Sequence, residues 1–251
     1  MTSTTTGLCV FACVFGAAAL AMLVRNALPQ HHLSADTKDL VKLSMGLVAT
    51  MAALVLGLLV ASAKGSYDTQ KDEMVRMAGK VAFLDRMLAH YGPEAAEARA
   101  GLHRALEVAM TRIWPESKLP AEQLGPSAAG GEAVFDLLHN LAPQTEAQRS
   151  RKEQALALAA DVGQMRWLLF EQAGSSISTP LLVTVVLWLA LIFFSFGLFA
   201  PSNSTAVATL LVAALSVSGA IFLILELDQP FSGLIRISSQ PMLNALGQLG
   251  R

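Results

Sequence analysis

LSMGLVATMAALVLGLLVASA, residues 43–63, contains no charged residue and no proline. It meets the requirement of about 20 mostly apolar residues for a helix that crosses a bilayer. Lys64 closes the run, but the helical pattern continues past it. From Met74 the apolar positions are Met74, Met77, Val81, Leu84, Leu88 and Tyr91. Their alternation of three and four is the spacing of a seam where helix packs on helix. Ser34 or Asp36 can cap the start, and Gly92-Pro93 supplies the stop. A single helix over 36–91 would measure about 84 Å at about 1.5 Å per residue, and so would stand well clear of a membrane.

Three further runs have the same character. Gly7–Val24 is followed by Arg25 and then Pro29, 177–199 carries Pro180 where a first helical turn tolerates it, and Thr205–Leu225 ends at Glu226 and Asp228. Pro201-Ser202-Asn203-Ser204 reads as a tight turn between the last two. No Lys or Arg precedes the first run, so it lacks the positive start of a signal peptide and reads as a retained helix. The expected organisation is a first transmembrane hairpin over 1–63 (helices about 7–24 and 43–63) and a cytoplasmic helical bundle over 64–176. A second hairpin follows over 177–225 (helices 177–199 and 205–225), then a cytoplasmic segment over 226–251. Within the bundle, a helix over 93–114 buries Leu102, Leu106, Ala109 and Ile113. A Pro- and Gly-rich mobile loop covers 115–131 and a short helix 132–141. A last helix opened by Pro143 runs to Gln172 and buries Leu158, Val162, Met165 and Leu169. No strand pattern appears, so the fold class is all-α.

Composition agrees with this division. The 251 residues are 53% hydrophobic and 15% charged, with mean hydropathy +0.50, against roughly 25% charged in soluble domains. The charges crowd into 64–172. A net charge of −1 gives no electrostatic footprint for nucleic acid. The only cysteines, Cys9 and Cys13, lie one turn apart in an apolar run and read as lipid-facing or packed side chains. Their spacing is not that of a redox or zinc motif.

Nothing in the polar block reads as catalysis. There is no phosphate-binding loop, no nucleophile elbow and no H-E-x-x-H. His90, His103 and His139 are scattered, and Glu94, Glu97, Glu107 and Glu153 alternate with arginines as on a solvated face. We therefore expect no enzyme, no cofactor and no metal. Adjacent His31-His32, near Asp36 and Asp39, could form a metal or proton site but fit an ordinary polar loop.

Two features stand out as candidate sites. Gly46, Ala49, Ala53 and Gly57 form one stripe of small residues on the second membrane helix. The stripe suits close helix packing, the more ordinary reading, or else the lining of a symmetric pore with Met51 or Leu56 as an apolar constriction. Glu226 and Asp228 end the fourth helix, where the helix dipole favours cations. Three readings stay open for these two acids: a plain helix stop, an acidic collar that gathers cations, and a structural charge paired with Arg236.

ELDQPFSGLIRISSQPM at 226–242, GLVATMAALVLGLLVASAKGSYD at 46–68 and LDRMLAHYGPEA at 84–95 together resemble the bestrophin-like family of bacterial four-helix membrane proteins. The resemblance covers essentially the whole chain. It implies a relation to bestrophins, which are pentameric anion channels with cytoplasmic termini and a pore lined by the second membrane helix. No run of consecutive acids follows the fourth helix, so the calcium clasp of animal bestrophins has no counterpart here. The 43–63 run likewise contains no aromatic residue to build a constriction. The leading expectation is a homo-oligomeric channel or channel-like pore in a bacterial inner membrane, bathed in membrane lipid and passing small ions. The alternative is a non-conducting scaffold or signalling protein whose bundle binds a partner.

With four spans, both termini and 64–176 fall on one side. That side carries Lys64, Lys71, Arg76, Arg166 and Arg236 near the helix ends, against Arg25, Lys38 and Lys42 on the other. The positive-inside rule places it in the cytoplasm. A reporter active only in the cytoplasm should work when fused after Arg251 and fail when fused at Gln30, and the opposite pattern would invert the topology.

Overall fold

In a computed structural model, described over residues 2–27, 34–114, 128–172, 177–201, 203–231 and 233–250, the chain is all-α, with no strand among the described residues. The helices are α1 (Ser3–Ala27), α2 (Ala35–Tyr91), α3 (Ala96–Ile113, entered by a 3-10 turn at Pro93–Ala95), α4 (Ala128–His139), α5 (Glu146–Gln172), α6 (Thr179–Phe199), α7 (Ser204–Leu227) and α8 (Gln240–Gln248). Four of them, α1, α2, α6 and α7, are long and apolar enough to cross a membrane. Helix α2 is continuous for 57 residues, starting where Ser34 Oγ accepts from the Thr37 backbone N–H at 3.3 Å. His31-His32 and residues 115–127 of the anticipated mobile loop lie outside the described residues. The rest of that loop is already helix, because α4 begins four residues earlier than the expected 132, and α4 also ends two residues before the expected 141.

Two compact units divide the chain: Met1–Tyr67 with Ser175–Ile235, and Asp68–Gly174 with Arg236–Arg251. In the first unit, α1 packs against α6 and α7. Its core is built at helical intervals from Val10, Val14 and Ala18 of α1, Leu59 and Ala63 of α2, Val185, Leu189 and Phe193 of α6, and Leu210, Ala214, Ile221 and Ile224 of α7. The approach of α1 to α6 is close because position 197 is glycine: a Cβ there would overlap the Ala18 carbonyl oxygen. One end of this contact is fixed by Arg25, whose guanidinium donates to the Ala200 carbonyl just past α6. The last carbonyls of a helix have no partner within it and draw cations.

The second unit confirms the seam. Met74, Met77, Val81, Leu84, Leu88 and Tyr91 are all buried. Helix α3 is rotated from expectation, burying Ala98, Leu102, Leu106 and Met110, while Ala109 and Ile113 are only half-buried. Close approach selects this face, since Gly101 lies on it against Leu137 of α4. Helix α5 departs further: Leu169 is buried, but Leu158, Val162 and Met165 are half-buried and the fully covered position on its first half is Ala155. Apolar residues lie all round α5 (Leu156, Leu158, Val162, Trp167, Leu168), so its sequence does not single out one face.

What α5 does supply is helix-end chemistry. Arg151 donates to the His90 carbonyl at 2.7 Å and Gln148 to that of Tyr91 at 3.2 Å, satisfying the C-terminus of α2. Lys152 donates to the carbonyls of His139 at 2.6 Å and Leu141 at 2.8 Å, doing the same for α4.

Helix α8, absent from the sequence expectation for 226–251, packs against α3 with Met242 and Ala245 buried. Trp114 anchors the stretch before it by donating its indole N–H to the Ile237 carbonyl at 2.9 Å. The stretch after it meets Asp85, a carboxylate inside the bundle. Asp85 accepts two hydrogen bonds from Arg99, at 2.8 and 2.9 Å, and one from the Gly250 N–H at 3.3 Å. Burial pushes the Asp85 carboxyl up, but the Arg99 hydrogen bond, the Gly250 N–H and the charges of Arg99 and Arg86 outweigh it and hold the group below the ordinary carboxylate value.

Removing one partner of a buried ion pair leaves an uncompensated charge and costs about 3–5 kcal/mol. Arg99→Met should therefore lower the melting temperature of the purified protein markedly, and Asp85→Leu/Arg99→Met should recover most of the loss. Because the folded Asp85 value is depressed, the stability it contributes is complete above the unfolded value of about 3.9 and is lost as pH falls through the lower folded one. The double variant should lack that acid-sensitive step. An Arg99→Met protein as stable as wild type would show that the pair holds nothing.

Candidate functional site

Helix α2 contributes to the core of the first unit along one narrow face, through Ala52, Leu59 and Ala63 with Val55 and Leu56 beside them. Among the four long apolar helices it is the least covered: 11% of its apolar window is buried, against 28%, 33% and 28% in α1, α6 and α7. The small-residue stripe lies outside that face. Gly46, Ala53 and Gly57 are exposed and Ala49 is half-buried. No atom of another residue would meet a Cβ added at Gly46 or Gly57. Thr50, next to the stripe, returns its hydroxyl to the carbonyls of Gly46 at 2.8 Å and Leu47 at 2.9 Å, so its hydrogen is used within the helix. Of the two proposed constriction residues, Met51 is exposed and Leu56 packs against the core.

The acidic run behaves differently. Helix α7 continues to Leu227, so Glu226 belongs to its last turn and Asp228 caps it. Both are buried within the chain, at 3% and 6% exposure. The backbone then reverses through Gly233, at φ +82, a conformation that only glycine adopts without strain. The reversal brings the Leu234 N–H onto Glu226 Oε2. It also brings the Gly233 backbone so near that a Cβ there would overlap the same oxygen and lie 2.9 Å from Oε1. Glu226 thus caps the backbone of the turn that follows its own helix. Arg236 falls in the second unit, in the non-helical stretch before α8.

The stripe and the acids therefore form two separate features. Sequence reasoning overlooked the cluster of Asp85, Arg99 and Gly250, of which Arg99 and Gly250 edge a cavity of about 280 Å³ together with Ala96, Ala100 and His103. The sequence carried no signal for it, because position 85 flanks seam residue Leu84, where charged residues are ordinary. No group of three or more His, Cys, Asp or Glu suited to a metal ion occurs among the described residues.

The family model described as Bestrophin-like domain matches residues 12–242. Among solved structures, the chain resembles a mutant of a bacterial bestrophin homologue from Klebsiella pneumoniae. The TM-score is 0.68 at 14% sequence identity, covering 98% of this chain and 99% of that one. At that identity the likeness speaks for the fold. No curated protein matches the chain.

Residues forced into the left-handed region cost of order 1–3 kcal/mol. Gly233→Ala should therefore destabilise the protein by about that strain plus the collision with Glu226. A double-mutant cycle with Glu226→Ala, read by thermal unfolding, separates the two contributions. A Gly233→Ala cost that is the same with and without Glu226 would show that the close approach is not used.

Proposed function

Because the chain belongs to the Bestrophin-like domain family, we propose that it is one subunit of a homo-oligomeric ion channel in a bacterial inner membrane, with both termini and the second unit cytoplasmic. One observation carries the reading: the apolar helix α2 has almost no partner along the face of Gly46, Ala53 and Gly57. Hydrocarbon rewards large side chains, whereas small residues matter where another helix approaches or a lumen must stay open. Several copies arranged about an axis, each presenting this stripe, give it that role. Met51, five residues after Gly46 and two before Ala53, falls on a different side of α2 from the stripe, so the constriction expected of it has no place in this lining.

Glu226 and Asp228 support a structural role over an acidic collar. Their burial withholds both carboxylates from a lumen within the chain, and Glu226 is committed to the turn at Gly233–Leu234. We assign them to fixing the exit of α7. Ion selectivity then rests on the α2 lining, which is uncharged from Leu43 to Ala63.

Conductance in planar bilayers of defined salt tests this directly. The native thiols Cys9 and Cys13 are exposed, so the assay starts from Cys9→Ala/Cys13→Ala. In that background, Ala53→Cys should conduct until a water-soluble, bulky thiol reagent is added, and then the current should fall. A well-assembled oligomer that carries no current would replace the channel by the non-conducting scaffold. Current unaffected by complete labelling of the introduced thiol would move the lining to another face.

A further inference from the structure

We propose that the first unit holds a phospholipid between α1 and α7, with an acyl chain in the groove between the two helices and the phosphate on Arg25. The groove is a cavity of about 280 Å³ lined by side chains such as Phe15, Ala19, Met22 and Leu23 of α1 and Val207 and Leu210 of α7. Its lining is wholly apolar, which suits a hydrocarbon chain and excludes a free polar solute.

Two contacts account for its existence. The Gly197–Ala18 approach and the bond from Arg25 to Ala200 hold the second half of α1 on α6. The first turns of α7 stand across from Ala18 and Ala19, whose methyl groups leave the space unfilled.

Arg25 gives the groove a polar end. It lies three residues beyond Met22, on the same side of α1. Its guanidinium sits at the Ala200 carbonyl, four residues before α7 begins, so it marks the end of the groove at which α7 starts. The first turn of α7 contains no acid, and a helix N-terminus carries partial positive charge. The Asn203 side chain takes the Ala206 N–H there, at 2.8 Å, and its carbonyl takes that of Val207 at 3.2 Å. A guanidinium with five N–H donors can hold the Ala200 carbonyl and a phosphate oxygen together. An apolar slot that opens beside one fixed cation has the chemistry of a phospholipid with an anionic headgroup. This assignment rests on the first unit lying in a bilayer, and conduction plays no part in it.

Native mass spectrometry of the full chain in detergent tests it, with dioleoyl phosphatidylglycerol and dioleoyl phosphatidylcholine as probes. The wild type should retain phosphatidylglycerol in preference to phosphatidylcholine. Ala19 is exposed, so Ala19→Trp should be tolerated by the fold and should fill the groove. We expect it to lower bound phosphatidylglycerol about tenfold at equal lipid, because the acyl chain loses its slot. Arg25→Gln should abolish the preference between the two headgroups, and Arg25→Lys, which keeps the charge and a donor for Ala200, should preserve it. If Arg25→Gln does not fold, Ala19→Trp and Arg25→Lys still decide the matter. Undiminished lipid on Ala19→Trp overturns the site. So does a change of oligomeric mass in that variant without loss of lipid, which would mean that a second copy fills the groove. Displacement of the lipid by millimolar inorganic phosphate would overturn the acyl-chain assignment.

Discussion

A peptide group in hydrocarbon has no water to bond, so a segment that crosses a bilayer must satisfy its own backbone, and a helix does this within one segment. Helix α2 extends that solution beyond its apolar run. It leaves the uncharged stretch at Lys64 and continues unbroken to Tyr91, so one helix belongs to both compact units. Its apolar pattern changes on the way. Before Lys64 one narrow face is covered by the chain; from Met74 onward a regular seam is buried.

Where the helices stop, the exposed peptide groups must be satisfied again, and the chain uses a small set of side chains for it. Arg25 serves the end of α6, Arg151 and Gln148 the end of α2, and Lys152 the end of α4. Glu226 performs the reverse task by accepting a backbone N–H at the turn after α7. All but that of Gln148 combine a charge with an otherwise orphaned backbone group, which makes them stronger than hydrogen bonds between neutral partners. They also explain why charges that resemble a solvated surface in the sequence are fixed in place. Two glycines, Gly197 and Gly233, permit the closest of these approaches because a Cβ at either position would overlap an oxygen.

The same economy bears on function. The core of the first unit uses α1, α6 and α7 fully and α2 sparingly, so the face of α2 that carries Gly46, Ala53 and Gly57 is available to other copies. In the proposed oligomer, a ring of such faces would line a passage uncharged from Leu43 to Ala63. The groove between α1 and α7 is a second place where the helices leave space between them.

Much of this architecture was legible in the chain itself. The four helices long and apolar enough to cross a membrane, the continuous second helix, the seam from Met74 to Tyr91 and the cap at Ser34 follow from hydropathy, period and capping chemistry, which act over one or two turns and are written in consecutive residues. The small-residue stripe could be located in the same way. Its exposure could not, because burial depends on which helices pack beside it. Tertiary structure alone decided that Asp85 is buried against Arg99 and Gly250, and that α3 turns Met110 inward in place of Ala109 and Ile113. It also decided that Glu226 and Asp228 are enclosed within their own chain. Each of these outcomes depends on groups far apart in sequence meeting at a separation of a few ångströms. For a charged residue that meeting decides between a surface group and a buried clamp, because the cost of leaving water is met only where partners converge.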